Sequence, residues 1–353
     1  MKRFLVKTGL VCLPIFMLLV FVFVCYSTDE GDLLRMGYVF YKGDCRKVFK
    51  KELAKPILFD TISNSKIDKK YTVLTIGDSF SEQKGFGYNN YLIEGSNISV
   101  LHFDRFLHNN PIETVYGILN GNTLNKIKIN YIILESVERG FVKRGYNINY
   151  KKRIDLDSIY EISKKHKNNV LKKENDIDKL PSRSVKFLFQ NFLYFLDDNA
   201  YLSDVYKVKT TEKLFSIDAN ELLFFSDDIK NIKENNDLDK ISHLNDELNK
   251  LSEILKMRGI KLIVLPCPDK YDFYYDFIVE KNRYPKPLFF DYFEKFPKKY
   301  IYINSKQVLK SEIKDKKDMY FFDDTHWAPI SSMIIANRLK NIINRNNDKI
   351  SVD

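Results

Sequence analysis

The stretch Tyr71-Thr72-Val73-Leu74-Thr75-Ile76-Gly77-Asp78-Ser79-Phe80-Ser81 decides how this chain folds. Its apolar and β-branched first half reads as a buried strand, and Gly77 permits a tight turn at its end. Asp78 and Ser79 then stand at the strand's C-terminal tip. Far downstream, Tyr320-Phe321-Phe322 reads as a second apolar strand that runs into Asp323-Asp324-Thr325-His326-Trp327. The two tips supply a serine, a histidine and a carboxylate, the set that makes a hydroxyl nucleophilic near neutral pH. A serine that opens a helix also turns its own N–H outward at the positive helix end, where it can stabilise an oxyanion.

Between the two motifs, strands alternate with helices. Further strands are expected at Asn97–Phe103, Tyr131–Leu134, Lys261–Leu265 and Tyr300–Ile303. Helices are expected over Pro111–Leu124, Asn236–Met257, about 287–296, and from Pro329 to 345. In the long helix, Leu238, Ile241, Leu244, Leu248, Leu251 and Leu255 recur at helical spacing, which predicts a core-facing stripe. Asn236 or Asp237 is its N-cap, and Gly259 ends it. The pattern implies an α/β fold: a three-layer, mostly parallel, flavodoxin-like sheet with helices on both faces. Such sheets bind ligands beyond the C-terminal strand ends, where both motifs fall.

The ends and the middle of the chain read differently. Thr8–Thr28 holds no charged residue and is long enough to span a bilayer. Lys2, Arg3 and Lys7 precede it, and Asp29, Glu30 and Asp32 follow, which orients the rest of the chain outside the cytoplasm. A cleaved signal peptide is the rival reading, but no small-x-small site follows the run. The expected organisation is a cytoplasmic stub and transmembrane anchor at 1–28, then a tether and entry helix at 29–70. A catalytic-type domain at 71–345 follows, with a Lys-, Asn- and Asp-rich insertion at about 145–235. The net charge of +10 is spread as scattered lysines among acids, not as a basic aromatic run that tracks nucleic acid. No metal-ligand spacing occurs and no cofactor motif is present. Cys45 and Cys267 are the two cysteines outside the apolar run, where a disulfide is chemically allowed.

His326 stands out among five histidines because it follows an apolar run inside a polar cluster, whereas His166 and His243 lie in polar helical stretches and His102 lies mid-strand. Asp324 has the Asp-x-His spacing and Asp323 the Asp-x-x-His spacing, and the residues alone do not choose between them. Trp327 either packs the loop on the last helix or stacks on a sugar face.

Gly77-Asp78-Ser79-Phe80-Ser81 together with Asp324-Thr325-His326-Trp327 resembles the SGNH hydrolase-like domain of the alginate O-acetyltransferase (AlgX/AlgJ-like, DHHW) group. Tyr131-Ile132-Ile133-Leu134-Glu135 through Glu138-Arg139, and Pro268-Asp269-Lys270 through Tyr274, are similar to two further segments of that group. The resemblance implies Ser79 as nucleophile, His326 as base and Asp324 as orienting acid. It makes Arg139, Lys270, Tyr274 and Trp327 candidates for oxyanion or substrate contacts. It further implies transfer of an acetyl group to an extracytoplasmic polysaccharide, received from a multi-pass membrane acyltransferase. Two features depart from the pattern: the serine precedes Asp-x-His, as in ordinary SGNH esterases, and the usual asparagine motif is not visible. Asn89, Asn90 or Arg139 is then the candidate second oxyanion donor. An esterase that removes acetyl groups shares every residue, and a non-catalytic glycan-binding scaffold is the alternative of another class.

Overall fold

The structure is a computed structural model that describes residues 1–25, 31–41, 43–65, 69–173, 189–217 and 220–350. Residues 26–28 of the expected anchor and 174–188 of the expected insertion lie outside the described residues. Six parallel strands form one sheet: β1 (Asp60–Thr61), β2 (Lys70–Ile76), β3 (Val100–Phe103), β4 (Lys128–Val137), β7 (Lys261–Cys267) and β8 (Ile301–Tyr302). Their spatial order is β1-β3-β2-β4-β7-β8. Leaving aside the two-residue edge strand β1, this is the 2-1-3-4-5 order of flavodoxin-like sheets, and the order reverses between β2 and β4. Ser79 follows β2, so it stands at the crevice where such sheets bind ligands.

The strand interiors explain why the sheet is covered on both faces. In β4, Tyr131 and Ile133 enter one apolar core while Ile132 and Leu134 enter the other. In β7, Ile263 and Leu265 alternate with Leu262 and Val264 in the same way. A two-faced apolar run of this kind is what a central parallel strand requires.

The helices follow from the same logic. In chain order they include α1 (Lys2–Cys25), α2 (Asp32–Gly37), α3 (Tyr88–Ile93), α4 (Pro111–Asn120), α5 (Glu138–Tyr146), α6 (Leu156–Lys173) and α7 (Leu238–Met257). After β7 come α8 (Lys270–Tyr274), α9 (Ser305–Lys310) and α10 (Pro329–Ile350). Helix α4 opens with Pro111 at its first turn, and the Asn110 side chain caps Ile112 N and Glu113 N. Asp237, not Asn236, caps α7, accepting from Asp239 N and Lys240 N. Ile241, Leu244, Leu248, Leu251 and Leu255 are buried, as the stripe predicts, while Leu238 is exposed. Gly259 has φ +73, the left-handed conformation that ends α7.

Several expectations are corrected. Tyr320–Phe322 is not a sheet strand; Tyr320 makes a single antiparallel bridge to Trp327, closing a loop around the polar cluster. The expected insertion contains an antiparallel hairpin, β5 (Val205–Lys209) with β6 (Glu221–Phe225), besides α6. The expected tether is packed: Leu33 and Leu34 are fully buried in the core, and their helix lies against the hairpin. Cys45 and Cys267 are not bridged to each other, so the chemically allowed disulfide does not form. Among the described residues, no helix is long and apolar enough to cross a membrane, so the anchor reading rests on the sequence of Thr8–Thr28.

Truncating the α7 stripe tests this packing. Leu248→Ala removes a fully buried side chain between α7 and the sheet. It is expected to lower unfolding free energy by about 2–5 kcal/mol, read as a lower urea midpoint at unchanged slope.

Candidate active site

Three side chains from the two distant motifs meet. His326 Nε2 lies 2.6 Å from Ser79 Oγ, and His326 Nδ1 lies 2.5 Å from Asp324 Oδ1. Asp324 Oδ1 also accepts from His326 N at 3.1 Å, so one carboxylate oxygen fixes both the backbone and the ring of the histidine. Ser79 and His326 are part-exposed, which leaves the Ser79 hydroxyl reachable. Phe80 packs edge-to-ring on Trp327 at 4.9 Å between centroids and lies 5.1 Å from the His326 ring. Of the two acids the residues alone did not separate, Asp324 therefore faces Nδ1.

The serine turn is built by exclusion of space and by ion pairing. Ser79 opens a short 3-10 turn, Ser79–Glu82, whose first N–H groups have no partner within the turn. A Cβ on Gly77 would stand 2.4 Å from Glu135 Oε2 and 2.5 Å from Ser81 Oγ, so only glycine allows the turn to close on Glu135. Ser81 Oγ donates to Glu135 Oε2 at 2.9 Å and meets Tyr88 OH at 2.7 Å. Burial, reinforced by the charge of Asp78, pushes the Glu135 carboxyl up to about 8. Asp78 turns away from the serine: its carboxylate accepts from Val137 N at 2.9 Å and takes both Nη atoms of Arg144. Burial opposes its ionisation, but the Arg144 charge and hydrogen bonds hold it below the usual carboxylate range.

The histidine loop is held mainly by groups from outside it. Lys270 is buried, and its Nζ donates to the carbonyls of Phe321 (2.7 Å), Phe322 (2.8 Å) and Asp324 (3.1 Å). Burial pushes the Lys270 ammonium down to about 7 against the pull of Asp323 and Asp324. Gln83 Nε2 donates to Trp327 O at 2.7 Å, tying the serine turn to the histidine loop. From the N-terminal segment, Arg46 Nη2 donates to Asp324 Oδ2 at 2.6 Å and Arg46 Nε to Asp323 Oδ2 at 2.9 Å. Asp32 accepts from Thr325 N at 2.9 Å and Thr325 Oγ1 at 2.7 Å.

These contacts set the electrostatics. Burial disfavours an ionised Asp324, yet the hydrogen bond and charge of His326, with Arg46, outweigh it and hold the carboxyl far below its ordinary value. Burial likewise disfavours imidazolium at His326, but the hydrogen bond and charge of Asp324, then Asp32, raise its pKa above the ordinary value. Asp32, Asp324 and His326 also offer atoms within 4.8 Å of one another. Both Asp32 oxygens, both Asp324 oxygens and both ring nitrogens are already held by hydrogen bonds within the protein.

Four further sequence candidates make contacts within the protein. Trp327 is fully buried against Phe80, because the largest apolar surface of the loop is used to seat it; it presents no face to a sugar. Tyr274 is fully buried, and its hydroxyl accepts from Tyr320 N at 3.3 Å. Lys270 is spent on the three loop carbonyls. Arg139 Nη1 is paired to Asp269 at 2.5 Å and Asp228 at 3.2 Å. Neither asparagine supplies the second oxyanion donor: Asn89 Nδ2 donates to Ser81 O, and Asn90 Nδ2 to Pro56 O and Gly85 O. Arg46, Asp32, Gln83 and Arg144 were not found by sequence reasoning. No local pattern marks them, since each acts across a long stretch of chain.

Residues 220–351 match the family model described as SGNH hydrolase-like domain, acetyltransferase AlgX. The match takes in Lys270 and the Asp323–Trp327 loop, while Ser79 and the Tyr131–Arg139 segment lie outside it. No curated protein matches the chain, and no solved structure matches it.

The role of Lys270 is testable by its stability signature. Lys270→Met would leave three buried loop carbonyls without their shared donor. Each lost partner costs on the order of 1–3 kcal/mol. The expected result is a fall in melting temperature together with loss of activity; activity loss at unchanged stability would instead mark a substrate contact.

Proposed function

We propose that the protein is a membrane-anchored, extracytoplasmic O-acetyltransferase that acetylates hydroxyls of a cell-surface or secreted polysaccharide. The carrying observation is the continuous hydrogen-bonded line Ser79–His326–Asp324, at 2.6 and 2.5 Å, on the ligand-binding edge of the sheet. The match of 220–351 to an SGNH-type acetyltransferase domain favours acyl transfer over other serine chemistry. The uncharged Thr8–Thr28 run favours anchoring, as do the exposed Leu10, Val11, Leu13, Phe16 and Met17 of α1, which lipid would cover.

The mechanism runs in two halves. Ser79 Oγ attacks the carbonyl carbon of an acetyl ester while its proton passes to His326 Nε2, and Asp324 stabilises the imidazolium. The Ser79 N–H, at the head of its turn, faces the developing oxyanion. The donor's C–O bond breaks, its alkoxide takes the proton from His326, and acetyl-Ser79 remains. A sugar hydroxyl then gives its proton to His326 Nε2 and attacks the acetyl carbon. Collapse expels Ser79 Oγ, which recovers the proton. A multi-pass membrane acyltransferase is the proposed source of the acetyl group.

An esterase runs the same first half with water in the second. The serine-before-Asp-x-His order favours this second reading. Acetyl content of the glycan in a deletion strain separates them: it falls for a transferase and rises for an esterase.

Three outcomes test the chemistry. Incubated with 4-nitrophenyl acetate, the full chain is expected to gain the mass of one acetyl group, and Ser79→Ala to gain none. Asp324→Asn is expected to slow the reaction by about 10³- to 10⁴-fold. Because His326 acts neutral and its pKa is raised, kcat/KM is expected to fall with acidification around an apparent pKa above about 6.5. An acid limb below that value would contradict the pairing of His326 with Asp324 and the added charge of Asp32.

A further inference from the structure

The N-terminal segment does more at this centre than connect it to the start of the chain. Gly31 N donates to Asp323 Oδ2 at 3.0 Å, and Leu33 N donates to Asp323 O at 3.0 Å. A Cβ on Gly31 would stand 2.1 Å from Asp323 O, so the backbone approach depends on glycine there. Leu33 and Leu34, fully buried, pin the segment in the core. The Arg46 guanidinium lies 4.5 Å above the Phe321 ring and spreads its donors over both Asp323 and Asp324. Every residue from Asp323 to Thr325 is therefore bonded to a group from 31–46.

We infer that Arg46 and Asp32 are positioning residues of the catalytic centre, set on opposite sides of the charge balance at His326. Arg46 holds Asp324 Oδ2 so that Oδ1 faces His326 Nδ1, and its charge tempers the pull of that carboxylate on the imidazolium. Asp32 holds Thr325 by two hydrogen bonds and adds a second carboxylate beside the ring. The other charged groups facing the ring or its loop are Asp324 itself, Asp323 paired with Arg46, Arg139 from α5 with its partners Asp228 and Asp269, and Lys270 from α8. Of these, Arg46 and Asp32 alone come from the N-terminal segment. The inference rests on the acyl-serine reading above.

The two residues make opposite predictions, which a merely structural role does not. Arg46→Gln removes a positive charge, so imidazolium is favoured and the acid limb of kcat/KM moves to higher pH. Asp32→Asn removes a negative charge, so the limb moves to lower pH. Each displacement is expected to be about one pH unit. The rate at the plateau falls in Arg46→Gln and returns in part with Arg46→Lys, which keeps the charge but not the fork that serves two carboxylates.

The experiment uses the full chain in detergent micelles, with 4-nitrophenyl acetate as acyl donor. It compares wild type, Ser79→Ala, Arg46→Gln, Arg46→Lys and Asp32→Asn across pH, with melting temperature measured alongside. Opposite displacement of the acid limb in Arg46→Gln and Asp32→Asn, with Ser79→Ala inert, supports the inference. Limbs that stay at the wild-type pH, or move the same way, with Ser79→Ala inert overturn it and leave the acyl-serine reading standing. Turnover that persists in Ser79→Ala overturns that reading itself. Should Arg46→Gln fail to fold, Arg46→Lys decides: a wild-type plateau rate overturns the role of the fork, and a lowered rate with the limb unmoved supports it.

Discussion

One carboxylate carries the arrangement of this centre. Asp324 places one oxygen on His326 and the other on Arg46, so a single rotamer is satisfied from both ends. An aspartate that met only the histidine would be free to swing toward solvent. An aspartate that met only the arginine would leave the ring unoriented. With both contacts made, the ionised form is strongly favoured despite burial, and the tautomer that exposes Nε2 to Ser79 follows.

The loop bearing Asp324 needs outside support because it lies beyond the sheet. Among the described residues its only ladder is the Tyr320–Trp327 bridge. Lys270 replaces the missing backbone partners with one ammonium whose three donors meet three carbonyls. Trp327, sealed against Phe80, and Gln83, bonded to Trp327 O, then fasten the loop to the serine turn. The serine turn is fixed in its own right by Arg144 on Asp78 and by the close approach of Glu135 to Gly77. Nucleophile and base therefore stand on two separately braced pieces of chain, and the 2.6 Å contact between them is a result of that bracing.

Much of this was legible in the sequence, for physical reasons. Buried parallel strands must be apolar on both faces, so β2, β4 and β7 announce themselves as continuous runs. Polar residues directly after an apolar run stand out, which is why Ser79 after β2, and Asp324 and His326 after the non-strand run Tyr320–Phe322, were found. What a polar or aromatic residue at a strand tip faces is a different matter, because ligand and neighbouring loop demand the same chemistry. Lys270, Tyr274 and Trp327 are buried in the protein, and Arg139 is paired to two aspartates. Asp32 and Arg46 were illegible for the opposite reason: they sit in a glycine-containing, charged stretch that reads as a tether, and their partners lie 277 or more positions away. The hairpin β5–β6 was hidden by short strands whose lysines and acids break the apolar signal.

The packing of that stretch also constrains where the chemistry occurs. Helix α1 ends at Cys25, and Gly31 is bonded to the residue next to Asp324. The connecting chain, fully extended, reaches about 20 Å. With α1 read as the membrane anchor, the histidine loop is held within that distance of the bilayer surface, whatever path the connection takes. The same packing means that a fragment beginning after Arg46 would lose the contacts on Asp323, Asp324 and Thr325 together with the anchor, so absence of activity in such a fragment would say nothing about Ser79.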